Sequence, residues 1–244
     1  MFFSAARRFG LLWPGVSRRI GMLFAILAVS AAAATIAGCG GASSNGVAAK
    51  SPDEILVAAR NAISGAKSVH VAGSVVNGST PVTLSLGLAA GNGGSGRMSV
   101  SGLGFDVIVV KRVVYLKGSD SVWRHFGGTA AVQLLHGKWL RGPASGQLAS
   151  FAALTDPHFL FGELVSNHGA LTKGGTSTVD GQKVVAVKDT TKGETLYVAT
   201  TGKPYPIKIA KTGGRGVGHL IFDRYNEPVS VSAPANSIDI SKLR

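Results

Sequence analysis

The chain has 244 residues, of which 45% are apolar and 15% charged, with 34 glycines, one cysteine and a formal net charge of +13. It is too apolar and too weakly charged to be a disordered chain, and its glycines follow no collagen period. One cysteine leaves neither an internal disulfide nor a thiolate zinc cluster, so stability must come from a buried core.

At the N-terminus Arg7, Arg8, Arg18 and Arg19, with no acid among them, precede an apolar run over residues 22–37. The run is shorter than the about 20 residues of a membrane span. Its basic flank and small C-terminal residues describe a secretory leader. Ile36-Ala37-Gly38-Cys39 resembles a bacterial lipobox. The resemblance implies cleavage before Cys39, a diacylglyceryl group on its thiol and acylation, for example by palmitate, of the new amino group. The alternative is a signal anchor that ends on a small apolar cysteine. Two or three acyl chains, at roughly 0.8 kcal/mol per buried methylene, make a stable anchor. Ser17-Arg18-Arg19 resembles a twin-arginine export signal, although Gly21 stands where that signal usually has Phe. The expected organisation is a leader over 1–38, a lipidated Cys39 with a flexible tether over 39–50, and one folded domain over 51–244, held at the outer face of the cytoplasmic membrane.

The domain opens on a helix. Ser51 can cap, Pro52 suits the first turn, and Glu54 completes a capping box. Ile55, Leu56, Ala59, Ala62, Ile63 and Ala66 then form one apolar stripe. From Ser68 the period changes to two: Val69, Val71 and Val75 alternate with His70 and Ser74, Asn77-Gly78 offers a hairpin turn, and Val82, Leu84, Leu86 and Leu88 return. Residues 91–96 read as a loose loop, followed by strands over 97–101, 105–110 and 113–117. The last two are apolar on both faces, so neither face is expected to be left to water. Ala130, Ala131, Leu134 and Leu135 read as a short helix, and Asp156-Pro157 begins another that carries Phe159, Leu160, Leu164 and Val165. Short strands are expected at 176–179, 183–188, 194–200, 207–210, 217–222 and 229–232, joined by hairpins.

Few chemical motifs survive inspection. Gly91-Asn92-Gly93-Gly94-Ser95-Gly96 has the letters of a dinucleotide fingerprint but lacks the helix that must follow. The six histidines, His70, His125, His136, His158, His168 and His219, show no metal-binding spacing. No serine sits in a nucleophile elbow. Asp106, Asp156, Glu163, Asp223 and Glu227 are the acids a cell-wall enzyme would need, and their contexts give no reason to converge. The expectation is therefore no enzyme, no cofactor and no metal. Lys183, Lys188, Lys192, Lys203, Lys208, Lys211 and Arg215 concentrate charge in the C-terminal third. With few interleaved aromatics, nucleic acid is not the expected partner. The charges suit either anionic headgroups, at about 1 kcal/mol each, or plain solubility.

Apolar residues outnumber what two to four short helices can cover, so the sheet either closes on itself or curls around a cavity. With the lipobox and the capped helix, the phrases Val113-Val114-Tyr115-Leu116-Lys117, Gly137-Lys138-Trp139-Leu140, Asp180-Gly181-Gln182, Leu196-Tyr197-Val198, Gly202-Lys203-Pro204-Tyr205-Pro206 and Phe222-Asp223-Arg224-Tyr225 resemble the LppX/LprG-type lipoproteins of actinobacteria, whose fold is similar to the lipoprotein carrier LolA. The resemblance implies a mainly β (α+β) fold: a curled antiparallel sheet, or half-barrel, of about ten strands whose concave face is covered by the N-terminal and middle helices. It implies a monomer that takes acyl chains of lipids or glycolipids and carries them across the envelope. The alternative is a structural or sensory envelope lipoprotein that binds a protein partner. Periodicity places Val82, Leu84, Leu86 and Leu88 on one candidate wall and Val107, Val109, Val114 and Leu116 on a second, with Leu160 and Leu164 as lid residues. Ordinary core packing is the competing role for each. Trp123 and Trp139 read as packing anchors.

Overall fold

A computed structural model describes residues 43–77, 79–153, 156–212 and 216–243. The leader, Ile36, Ala37, Gly38, Cys39, Gly78 and Arg215 lie outside the described residues. The chain docks at Ser44, which bridges Thr201, and at Asn45, whose Nδ2 donates to the carbonyls of Ala199 (2.9 Å) and Gly202 (3.1 Å). Val47 follows into the core at 1% exposure. The tether expected through Lys50 is thus docked from Ser44 onward, because burying the Val47 side chain gains about 1.5 kcal/mol or more.

Helix α1 (Pro52–Ser64) starts as its residues dictate: Ser51 N donates to Glu54 Oε2 (2.9 Å), and Glu54 N donates back to Ser51 Oγ (3.4 Å). Its stripe of Ile55, Leu56, Ala59, Ala62 and Ile63 is buried. Strands β1 (Ser68–Asn77), β2 (Thr80–Ala89), β3 (Gly93–Val100), β4 (Leu103–Val110) and β5 (Val113–Gly118) form an antiparallel meander. The glycine-rich stretch expected as a loop is largely strand. Gly93 has φ +94°, and a Cβ there would lie 1.9 Å from the Val109 carbonyl oxygen, so glycine is what lets β3 approach β4.

Helix α2 (Asp120–Leu135) bends at Gly127 and Gly128, whose φ values of −148° and +66° leave the helical range. The helix expected around Ala130 to Leu135 is its second half; the two glycines conceal the continuity of the first. After α2 come β6 (Trp139–Pro143), α3 (Ala149–Ala153) and α4 (Pro157–Ser166). Strands β7 (Leu171–Val179), β8 (Gln182–Asp189), β9 (Glu194–Ala199), β10 (Pro206–Lys211), β11 (Gly218–Asp223) and β12 (Ser237–Asp239) complete the described chain.

The described strands make one curled, unclosed 12-stranded sheet in the order β12-β6-β5-β4-β3-β2-β1-β11-β10-β9-β8-β7. The expected half-barrel architecture is present, with two strands more than the ten expected and one parallel pair, β12 on β6. The parallel pair follows from the segment after β11. Residues 229–232, expected as a strand, make no ladder. Pro228 and Pro234 flank them, and proline has no amide hydrogen to donate. Instead this segment is a strap across the convex face: Asn226 N donates to the Ser68 carbonyl, a Cβ on Gly87 would lie 3.2 Å from Val229 Cγ1, and Ser95 Oγ donates to the Ser230 carbonyl (3.4 Å). The chain thereby passes over β1, β2 and β3 to reach the far edge.

The main core lies on the concave face, where Ile55, Leu56 and Ile63 of α1 meet Val69, Leu86, Leu88, Val107, Val185, Val198 and Phe222. A smaller cluster of Val122, Trp123 and Leu135 fastens α2 to the β4–β6 end of the sheet.

Candidate functional site

Helix α4 forms the lid of the concave face. Asp156 caps it, its Oδ1 accepting from His158 N (2.9 Å) and Phe159 N (3.3 Å), and Pro157 occupies the first turn. Leu160, Phe161 and Val165 point into the core, while Phe159 is 49% exposed. The lid is tied to α1 by polar side-chain contacts. Arg60 Nη2 donates to the Val165 carbonyl (2.9 Å), and Ser64 Oγ meets His158 Nδ1 (3.2 Å). Arg60 Nε is buried without a partner.

Beneath α4 a crevice opens between the lid, α1 and strands β7–β10. Leu56, Leu164, Leu171, Val187, Leu196 and Ile209 make its apolar interior, and His168, Asp189, Lys192 and Glu194 make its polar rim. Its free volume is about 30 Å³, far below the roughly 300–1,000 Å³ of a typical ligand pocket.

The rim is built around Asp189, buried at 6% exposure. Its Oδ1 accepts from Thr191 N (2.8 Å) and Lys192 N (2.9 Å), and its Oδ2 from Gly169 N (2.9 Å). Burial raises its pKa, but the three amides and the Lys192 ammonium outweigh burial and hold the carboxyl below its ordinary value. Asp189 therefore stays ionised and fixes the turn that carries Lys192. Lys211 Nζ stands 3.6 Å from Glu194 at the same rim.

The sequence-derived wall residues gather on this concave face. Leu84, Leu86, Leu88, Val107, Val109, Val114 and Leu160 are buried in the main core, with Leu116 and Leu164 packed against it. Val82 is half-buried near the end of β2 and does not join that cluster. Of the ten, only Leu164 lines the crevice; the others make ordinary core contacts with neighbouring strands and helices. Val187, Leu196 and Ile209 come from strands expected at 183–188, 194–200 and 207–210, whereas Leu171 precedes the strand expected at 176–179, because β7 begins at Leu171; which of their faces meets the lid was not legible. Trp123 is a core anchor, and Trp139 lies under Lys117, whose Nζ is 4.9 Å from the ring centroid.

Two basic residues of the C-terminal third stand together at the crevice rim, and a third lies elsewhere. Lys192 lines the crevice, Lys211 pairs with Glu194, and Lys203 sits 6.0 Å from the Tyr205 ring. Among the acids, Asp106 is bracketed by Arg97 (2.9 Å) and Lys117 (3.0 Å) on the convex face. Asp223 and Glu227, for which no convergence was expected, line one convex-face cleft together.

No family model and no curated protein matches the sequence. Among solved structures, LprF from Mycobacterium bovis superposes with a TM-score of 0.54 at 18% identity, over 80% of this chain and 100% of that one. The chain has the fold of LprF. The lipoprotein LppX of Mycobacterium tuberculosis aligns with a TM-score of 0.48 at 20% identity, over 74% of this chain and 99% of that one. The LppX/LprG-type likeness suggested by the scaffold phrases holds at the level of the fold. Three of those phrases fall at structural corners of the sheet: Asp180-Gly181 turns β7 into β8, Gly202-Lys203-Pro204-Tyr205 leads into β10, and Phe222-Asp223-Arg224-Tyr225 leaves β11 for the strap; Val113 to Lys117 and Leu196 to Val198 lie within β5 and β9.

Proposed function

We propose that this protein is an extracytoplasmic lipid-binding lipoprotein, anchored through Cys39, that takes an acyl chain into the crevice beneath α4 and ferries it within the cell envelope. The supporting observation is the pairing of an apolar interior with a charged rim in one opening of the concave face. A hydrocarbon tail gains about 0.8 kcal/mol per methylene buried there, while an anionic headgroup meets Lys192 and His168 at the rim. Entry of the chain then requires α4, held to α1 by Arg60 and Ser64, to swing out.

Native mass spectrometry of the full-length protein, expressed with its leader and released from mild detergent, tests the reading. Lipid adducts of defined mass are expected on the intact chain, beyond the mass of the anchor. A protein that is always free of such adducts, and that gains none from acyl-chain vesicles, refutes it.

A second reading has its own support. The crevice of about 30 Å³ is what a domain without cargo would show, its concave face filled by its own helices and its surface free for a protein partner. An empty protein in the same experiment selects this reading.

A further inference from the structure

The convex face, opposite the crevice, carries a second constellation. His70 of β1 stands directly across from Asp223 of β11, and Ser85 of β2 lies diagonally on its other side. The alternation that sends Val69 and Val71 into the core sends His70 outward. His70 Nδ1 is 2.6 Å from Asp223 Oδ1, and His70 Nε2 is 2.9 Å from Ser85 Oγ. A carboxylate only accepts, so Nδ1 carries the proton. Nε2 is then the basic nitrogen and accepts from the Ser85 hydroxyl. The imidazole is mostly sheltered, its side chain 16% exposed, whereas Ser85 is open to solvent.

Both Ser85 and His70 line a cleft of about 320 Å³ roofed by the strap, with Arg224 and Glu227 at its margin. The Arg224 backbone is held at φ +48°, and its Nε stands 3.6 Å from Asp223 Oδ1. Gly87 and Gly96 leave the floor beside Ser85 without side chains.

We propose that Asp223, His70 and Ser85 form a nucleophilic serine relay that accepts the acyl group of a small carboxylic ester. Ser85 Oγ attacks the carbonyl carbon while its proton passes to His70 Nε2. The adduct collapses, the bond to the alcohol oxygen breaks, and the alcohol leaves with that proton. Water then adds to the acyl carbon and gives a proton to Nε2, the carbon–Oγ bond breaks, and Ser85 recovers a proton as the carboxylic acid departs. Ser85 lies mid-strand, paired on both sides by β1 and β3, so a backbone amide pair is not on offer, and the role of meeting the developing oxyanion is assigned to Arg224, which lines the same cleft. Asp223 is the positioning residue, fixing the tautomer of His70. The site is independent of acyl-chain storage on the other face.

The test is reaction of the full-length protein with a fluorophosphonate probe, in which Oγ bonds to phosphorus, fluoride leaves, and His70 takes the serine proton. Peptide mass spectrometry of the wild-type protein should place the adduct on Ser85. His70→Gln should slow labelling about 100-fold or more, and Asp223→Asn about 10-fold or more, with Asp223→Glu restoring most of the rate and all variants keeping the wild-type circular dichroism. An adduct on another serine, labelling no faster than in the urea-unfolded chain, or a rate unchanged in His70→Gln overturns the relay and leaves the three residues a cross-strand hydrogen-bond ladder.

Discussion

Arg60 Nη2 donates to the Val165 carbonyl over 2.9 Å and so ties the middle of α1 to the last turn of α4. The contact spans 105 residues of sequence. Together with the contact between Ser64 and His158 it holds α4 against α1.

Replacing Arg60 with alanine should therefore loosen the lid more than the fold. One hydrogen bond is worth about 1 kcal/mol, and removal of the unpartnered Arg60 Nε offsets part of that loss. Amide hydrogens of α4 are expected to exchange several-fold faster in Arg60→Ala, with β1 and β2 unchanged, and uptake of a fluorescent fatty acid should quicken. Equal exchange rates in α4 would remove it as the moving element.

Leu164 reaches the crevice from the lid, half-buried. Leu164→Trp should fill the free space there, at a cost of about 1–3 kcal/mol from overpacking. Lipid adducts should fall sharply while the protein remains folded. If adducts persist at the wild-type level, acyl chains lodge elsewhere.

Asp189 links stability to pH. Its folded pKa lies below the ordinary carboxylate value, so the unfolded chain binds the proton more readily. The stabilisation is fully present above about pH 5 and disappears as pH falls through the lower, folded value. In Asp189→Asn one amide donor must face an NH2 group, and about 1–3 kcal/mol is lost at neutral pH. Urea unfolding from pH 7 to pH 3 should show the variant less stable at pH 7 and the two proteins converging in acid. A constant gap across that range would contradict the linkage.

The anchor has its own test. In a host that processes lipoboxes, Cys39→Ala should abolish labelling by radioactive palmitate and leave the precursor uncleaved. Unaltered labelling would place the lipid on another residue.

Tyr205 and Tyr225 stack, their rings 3.9 Å apart at 6°. Tyr225 OH donates to the Pro206 carbonyl (2.6 Å), and burial, with Tyr205 and Asp223 nearby, pushes its hydroxyl well above the ordinary tyrosine value. Tyr225→Phe should cost about 1 kcal/mol, measured by thermal unfolding, because it unpairs the Pro206 carbonyl where the strap leaves β11. A neutral substitution would show that stacking alone holds the strap.

Local order was legible in the residues themselves. The Ser51 and Glu54 capping box, the apolar stripe of α1, the alternation through Val82 to Leu88 and the Asp156-Pro157 start of α4 each depend on neighbours within a few positions. So does the lipobox at Cys39, which rests on sequence alone. What tertiary structure decided is which strand meets which. Nothing near His70 announces Asp223, 153 residues away, until β11 pairs with β1. Nothing in Val229 reveals that its segment straps the convex face until the chain must reach β6. The crevice has the same origin: Leu56, Leu164, Val187 and Ile209 are ordinary apolar residues until a curled sheet and a lid bring them to one opening. Side-chain periodicity tells a residue which face of its own strand or helix it occupies, but pairing between distant strands is settled by the collective burial of the whole sheet.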